Sequence, residues 1–171
     1  NTIPKTAAKK YGLNDVLGLS WIDSTLPLFY KDNDILLYIL FPTNDGKLSE
    51  IKDGNFVYYP FQNQKTNPYE YNYALENKFY ELLTDIQPDI VHVFGTEYAH
   101  TLAMMRAVKK TSLQLKTLIN IQGLCTFISK HYYAFLSSSV IHSYTIRDFR
   151  RHDNIFQQRK KSEARGRHEG E

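Results

Sequence analysis

Asp89-Ile-Val-His-Val-Phe-Gly95 reads as a short strand, and its closing glycine lets the backbone turn sharply at the carboxyl end. On its amino side, Leu75, Phe79, Leu82, Leu83 and Ile86 recur at helical spacing, and Pro88 forces the chain out of that helix. On its carboxyl side, Tyr98, Leu102, Met105 and Val108 mark a second helix. Glu97 is expected in the first turn of that helix and Lys109-Lys110 in its last, which suits the helix dipole. Lys116-Thr-Leu-Ile-Asn-Ile-Gln-Gly123 follows as another strand ending in glycine. Strand, helix, strand in this order implies a parallel pair joined by a right-handed crossover.

Two more strands precede this unit. Ile35-Leu-Leu-Tyr-Ile-Leu-Phe41 is continuously apolar and is expected to stop at Pro42, as a strand covered on both faces would. Phe56-Val-Tyr-Tyr-Pro-Phe61 is the second. Ser20-Trp-Ile-Asp23 resembles a capping box, and the helix it opens should kink at Pro27. Residues 1–19 hold no apolar run, so the first strand of the sheet is expected to lie before Asn1. The pattern predicts an α/β three-layer sandwich around one mostly parallel sheet.

The composition bounds the function. The chain has 171 residues, 42% of them hydrophobic, with 13 Tyr and 10 Phe, which excludes a disordered polar chain. Cys125 is the single cysteine, so no internal disulfide and no cysteine-only zinc site can form. Its expected role is that of a small buried hydrophobe. The longest apolar run falls well short of the roughly 18 residues of a membrane span. The cytoplasm is the expected location, with peripheral contact to a membrane. Residues 1–146 carry 13 basic and 13 acidic side chains, whereas residues 147–171 carry 8 and 5. The whole net charge of +3 therefore sits in the last 25 residues. That is too little to argue for nucleic acid, and it fits a solvated helix or an anionic membrane surface.

In an open parallel sheet, ligands bind beyond the carboxyl ends of the strands. Gly95, Thr96, Glu97 and His100 form one candidate loop there, with Thr96 as the expected N-cap and Glu97 and His100 on one face of the first turn. Ordinary capping, with His100 at the surface, accounts for the same residues. Gln122 and Gly123 mark the second strand end, and Lys130 and His131 follow it. Asp32-Asn33-Asp34 precedes a strand and reads as a turn rather than a metal site. Sequence motifs for dinucleotides, nucleotide triphosphates and zinc are missing. No residue is assigned a catalytic role.

Pro88-Asp-Ile-Val-His-Val-Phe-Gly-Thr-Glu-Tyr-Ala-His100 resembles the middle of the N-terminal domain of GT-B-fold retaining glycosyltransferases. Trp21-Ile22 is similar to the start of that family's first helix, with Gly18 in the preceding loop. Asn120-Ile-Gln-Gly123 looks like the strand end that faces the interdomain cleft. Lys130-His-Tyr-Tyr133 and Thr145-Ile-Arg-Asp-Phe-Arg-Arg151, which contains Arg147, resemble segments of a bacterial branch. The resemblance implies a Rossmann-like acceptor-side lobe over residues 1–146. It also implies a basic helical connector over 147–171, leading to a C-terminal donor-binding domain outside this chain.

The implied reaction moves a sugar from a nucleotide-sugar donor to a hydroxyl acceptor. No cofactor or metal is expected on this lobe, and the chain by itself is expected to show no turnover. Many relatives carry a histidine where this chain has Gln122, and a neutral amide can hydrogen-bond a sugar but cannot carry a proton. The competing expectation is a non-catalytic α/β module that binds a glycan or a phosphorylated ligand.

Overall fold

The computed structural model describes residues 3–13, 21–30, 32, 34–62, 71–121, 123–151, 153–167 and 169. The protein is an α/β chain whose strands, among the described residues, pair in two small sheets rather than one. It divides into two compact units, residues 1–67 and 68–171.

The first unit contains helix α1 (Lys5–Lys10), helix α2 (Trp21–Thr25), a 3-10 turn (Leu26–Leu28) and strands β1 (Leu37–Thr43), β2 (Ile51–Asp53) and β3 (Phe56–Gln62). β1 runs parallel to β3, and β2 returns antiparallel to it, so β3 lies in the middle. That position explains its burial: Phe56, Val57, Tyr58, Pro60 and Phe61 are all buried. The expected stop at Pro42 does not occur, because β1 continues to Thr43. Among the described residues β1 has a neighbour on one side only, and a proline without an N–H is tolerated on such an edge. Its other expected property also needs correcting. Ile39, Phe41 and Thr43 are buried, but the alternate residues are only partly covered, as at an edge strand.

The β2–β3 hairpin turns at Gly54, whose φ of +60° is left-handed. Beside it, the Asn55 side-chain amide donates to the carbonyls of Phe29, Asp32 and Ile35 at 2.9–3.0 Å, tying the approach to β1 onto the hairpin. The α-helix ends at Thr25 and the chain continues directly into the 3-10 turn, which holds Pro27 near its start, where its missing N–H is tolerated. Ala7, Leu26, Ile39, Phe41, Phe56 and Tyr58 then close one core.

The second unit contains α3 (Tyr73–Ile86), β4 (Ile90–Phe94), α4 (Ala99–Lys110), β5 (Lys116–Asn120), α5 (Cys125–Lys130), α6 (Ser138–Ile141), α7 (Ile146–Arg151) and α8 (Ile155–Gly166). Asn72 caps α3 by accepting from the Leu75 amide, and Gln87 ends it in a left-handed conformation immediately before Pro88. α3 and α4 pack together. The buried residues of α4 are Ala99, Thr101, Leu102, Ala103 and Ala107, whereas Met105 and Val108 are only partly buried. Alanines let two helix backbones approach, so the seam lies beside the larger apolar stripe that the periodicity picks out. β4 and β5 pair in parallel, with Val91 and Val93 buried and all five β5 residues exposed.

α8 lies against α5. The Thr126 hydroxyl donates to the Gly166 carbonyl at 2.9 Å, and the Ser162 hydroxyl donates to the Cys125 carbonyl at 3.3 Å. Gly166 has no room for a side chain, since a Cβ there would lie 2.5 Å from Thr126 Oγ1 and 2.6 Å from its amide nitrogen. Gly166→Ala should therefore cost about 1–3 kcal/mol, because backbone must shift to admit a methyl group. Gly46→Ala, whose new methyl would meet only the Gln62 side chain at 3.8 Å, should leave the chemical denaturation midpoint nearly unchanged. Equal midpoints for the two variants would contradict this packing.

Candidate functional site

Because β4 and β5 are parallel neighbours, the loops that follow them leave the same carboxyl edge. The Gly95 amide donates to the Asn120 carbonyl at 2.9 Å, so the two strand ends are joined beyond the ladder itself. Gly95 has φ +87°, and a Cβ there would lie 2.6 Å from Glu97 Oε2. Both the conformation and the space demand glycine. The Glu97 carboxylate folds back over this glycine, with Oε2 buried and accepting no hydrogen bond among the described residues.

Two details of the expected loop change. Tyr98, not Thr96, occupies the N-cap position of α4, and no side chain caps it. Glu97 thus lies before the helix, so it and His100 do not share a helical face. The Thr96 hydroxyl instead faces Glu169 at 3.5 Å.

Glu169 is the residue that organises the edge. One carboxylate oxygen accepts from the Cys125 amide at 2.6 Å and the other from the Thr126 amide at 3.0 Å. These are donors that a helix start leaves without intrahelical partners, and a carboxylate satisfies both. Nothing in the local sequence marks Glu169 for this task. Arg165 reaches the same neighbourhood, its guanidinium carbon 6.0 Å from the centre of the Tyr98 ring. Burial raises the Cys125 thiol above its ordinary pKa, the Glu169 and Glu97 carboxylates add to the rise, and Arg165 opposes it. The thiol is therefore protonated and unreactive at neutral pH.

The remaining candidates fall apart in space or lie outside the described residues. Gly18 and Gln122 are not among those residues, while Gly123 lies in the loop between β5 and α5. His100 sits in the first turn of α4 with its ring stacked on Tyr98 at 5.3 Å, and burial pushes its pKa down to about 4. Its imidazole is neutral at pH 7. Lys130 and His131 are exposed at the far end of α5, about 9 Å from its start at 1.5 Å per residue. The His131 ring lies 4.4 Å from that of Phe127. Arg147 belongs to α7 and lines a different cleft with Ile146, Arg150 and Arg151. Among the described residues, no three His, Cys, Asp or Glu side chains are placed to hold a metal ion. No described helix is long and apolar enough to cross a membrane. No protein-family model, curated protein or solved structure matches the chain.

Two outcomes test this geometry. Glu169→Gln keeps the shape but removes one of the two carboxylates that hold the Cys125 thiol up. The midpoint of its alkylation rate against pH should move to lower pH, and an unmoved midpoint would place Glu169 away from the sulfur. His100 titrates near 4 in the folded chain and near 6.5 when unfolded, so the unfolded state binds the proton first. Stability contributed by the neutral ring is present above pH 6.5 and lost as the pH falls toward 4. His100→Gln should flatten urea midpoints across that window, and an unchanged slope would contradict the burial.

Proposed function

We propose that the chain is the Rossmann-like, acceptor-side lobe of a retaining glycosyltransferase of GT-B fold. Its parent enzyme would move a sugar from a nucleotide-sugar donor to a hydroxyl. The observation that carries this reading is the shared carboxyl edge of β4 and β5, whose two loops carry the residues of the family resemblance. The state of that edge supports an acceptor role over a phosphate-binding one. The Cys125 and Thr126 amides, which a phosphate would seek, are already taken by Glu169. A phosphorylated ligand would have to displace a bound carboxylate and then face Glu97. A neutral hydroxyl meets no such penalty.

On this reading the lobe's own residues orient rather than react. The Thr96 hydroxyl and the backbone at Gly123 supply neutral donors and acceptors for an incoming hydroxyl, and the family resemblance assigns the Gln122 amide to the same task. Holding that hydroxyl in one pose converts a diffusive encounter into an intramolecular step. The neutral His100 is excluded as a source of positive charge at pH 7. Charge developing on the leaving nucleotide is then stabilised by the second lobe of the parent.

The test uses the two-lobed parent. Gln122→Ala and Thr96→Val should each lower transfer about tenfold, the worth of one hydrogen bond that positions a reactant. Lys130→Ala, altered at the far end of α5, should transfer normally. The 171-residue chain alone should show no turnover. Full activity in both edge variants, or transfer by the isolated chain, would overturn the proposal.

A further inference from the structure

α7 carries two side-chain ridges. Ile146 and Phe149, three residues apart, form an apolar ridge that is 78% and 75% exposed. Arg147, Arg150 and Arg151 form a basic ridge beside it, and with Ile146 they line an open cleft of about 340 Å³. Among the described residues, Arg150 and Arg151 form no ion pair.

The acids nearby are engaged elsewhere. Asp148 closes the start of α7 by accepting from the Thr145 amide, while its own amide donates to the Thr145 hydroxyl. Asp153 is bound to Lys161 at 2.6 Å. Arg150 and Arg151 suit the negative end of the helix dipole, but Arg147 stands in the first turn, where a cation gains nothing from it. Within the chain its charge is felt by the Asp148 carboxylate, whose pKa it helps to lower. Upstream, Phe135 is fully exposed and held at φ +65°, a conformation that a bulky residue adopts at a cost.

We infer that α7 docks the chain on an anionic lipid leaflet, with Phe149 and Ile146 entering the interface and Arg147, Arg150 and Arg151 meeting the headgroups. The pairing of exposed aliphatic and aromatic side chains with guanidiniums on one short helix favours a leaflet. A leaflet rewards both ridges, whereas a nucleic acid gains little from Ile146. Two cations of α8 are engaged within the chain. Lys161 is bound to Asp153, and Arg159 donates to the Ser129 carbonyl. Docking through α7 needs no sugar and does not rest on the transferase reading.

The test is co-sedimentation of the full 171-residue chain with vesicles of phosphatidylcholine, alone or with about a quarter phosphatidylserine. The chain should bind the anionic vesicles, ignore the neutral ones, and be released by roughly 0.5 M salt. Arg150→Gln with Arg151→Gln should weaken partitioning about 25-fold, near fivefold for each charge, while the double lysine variant keeps most of it. Phe149→Ser should lose about tenfold with circular dichroism unchanged. Should that variant fail to fold, Phe149→Trp provides the reading, since its emission should shift to the blue with anionic vesicles only. Equal sedimentation with both lipids, wild-type binding by Phe149→Ser, or no emission shift would overturn the inference. So would arginine-dependent binding to a short RNA without binding to vesicles, which would assign the patch to nucleic acid.

Discussion

The second unit depends on where one carboxylate sits. Glu169 places its two oxygens on the Cys125 and Thr126 amides, at the one point where α5, α8 and both strand-end loops come together. A helix start that is short of partners needs an acceptor, and water or a ligand could supply one. Here the chain supplies its own, and in doing so fixes the end of α8 beside the sheet's carboxyl edge. The Gly166 contact on Thr126 then sets how closely α8 approaches, because nothing larger than hydrogen fits between them. A polar anchor and a steric limit act on adjacent backbone, so the edge is held in distance as well as in direction.

That arrangement decides what chemistry the edge offers. An internal anion at the helix start, a second carboxylate folded over Gly95 and a protonated thiol make a neighbourhood in which two carboxylates outweigh the one nearby cation, Arg165. His100 deepens the effect, since burial leaves it neutral through the physiological range. Neutral hydrogen-bonding groups are what remain, and they recognise hydroxyls. The net positive charge lies in residues 147–171, which hold α7 and α8, since the first 146 residues sum to zero.

Much of the fold was legible from residues that punctuate the chain. Pro88 and Gly95 each forced the backbone change expected of them, and four of the five strands among the described residues overlap runs readable by their apolar content. β2 was not readable, because Ile51-Lys-Asp53 has too little apolar character and exists through pairing across the Gly54 turn. Pro42 misled, since an edge strand tolerates a proline that a covered strand would not. The α4 seam was displaced from the visible stripe because close helix packing selects alanine, which periodicity undervalues. Gly95, Thr96 and Glu97 were found because a strand end followed by glycine is a local signal. Glu169 and Arg165 were not, since their partners lie far along the chain, Cys125 for the first and Tyr98 for the second.

The side of β4 and β5 away from the buried Val91 and Val93 is open, with Ile90 and Leu118 each more than half exposed. Rigidity therefore cannot reach the carboxyl edge through layers on both faces, as it does in a fully covered parallel sheet. Part of it comes from the Glu169 anchor at the edge itself. This is why a single acceptor far along the chain matters more here than the strand ladder does. The ladder sets the direction in which both loops leave. The Gly95 turn, with its Glu97 cover, sets where the first loop goes, and the carboxylate at Cys125 sets where the second one starts. Each of these three is a backbone constraint, so the edge can tolerate substitution among its exposed side chains while keeping the separation between its two loops.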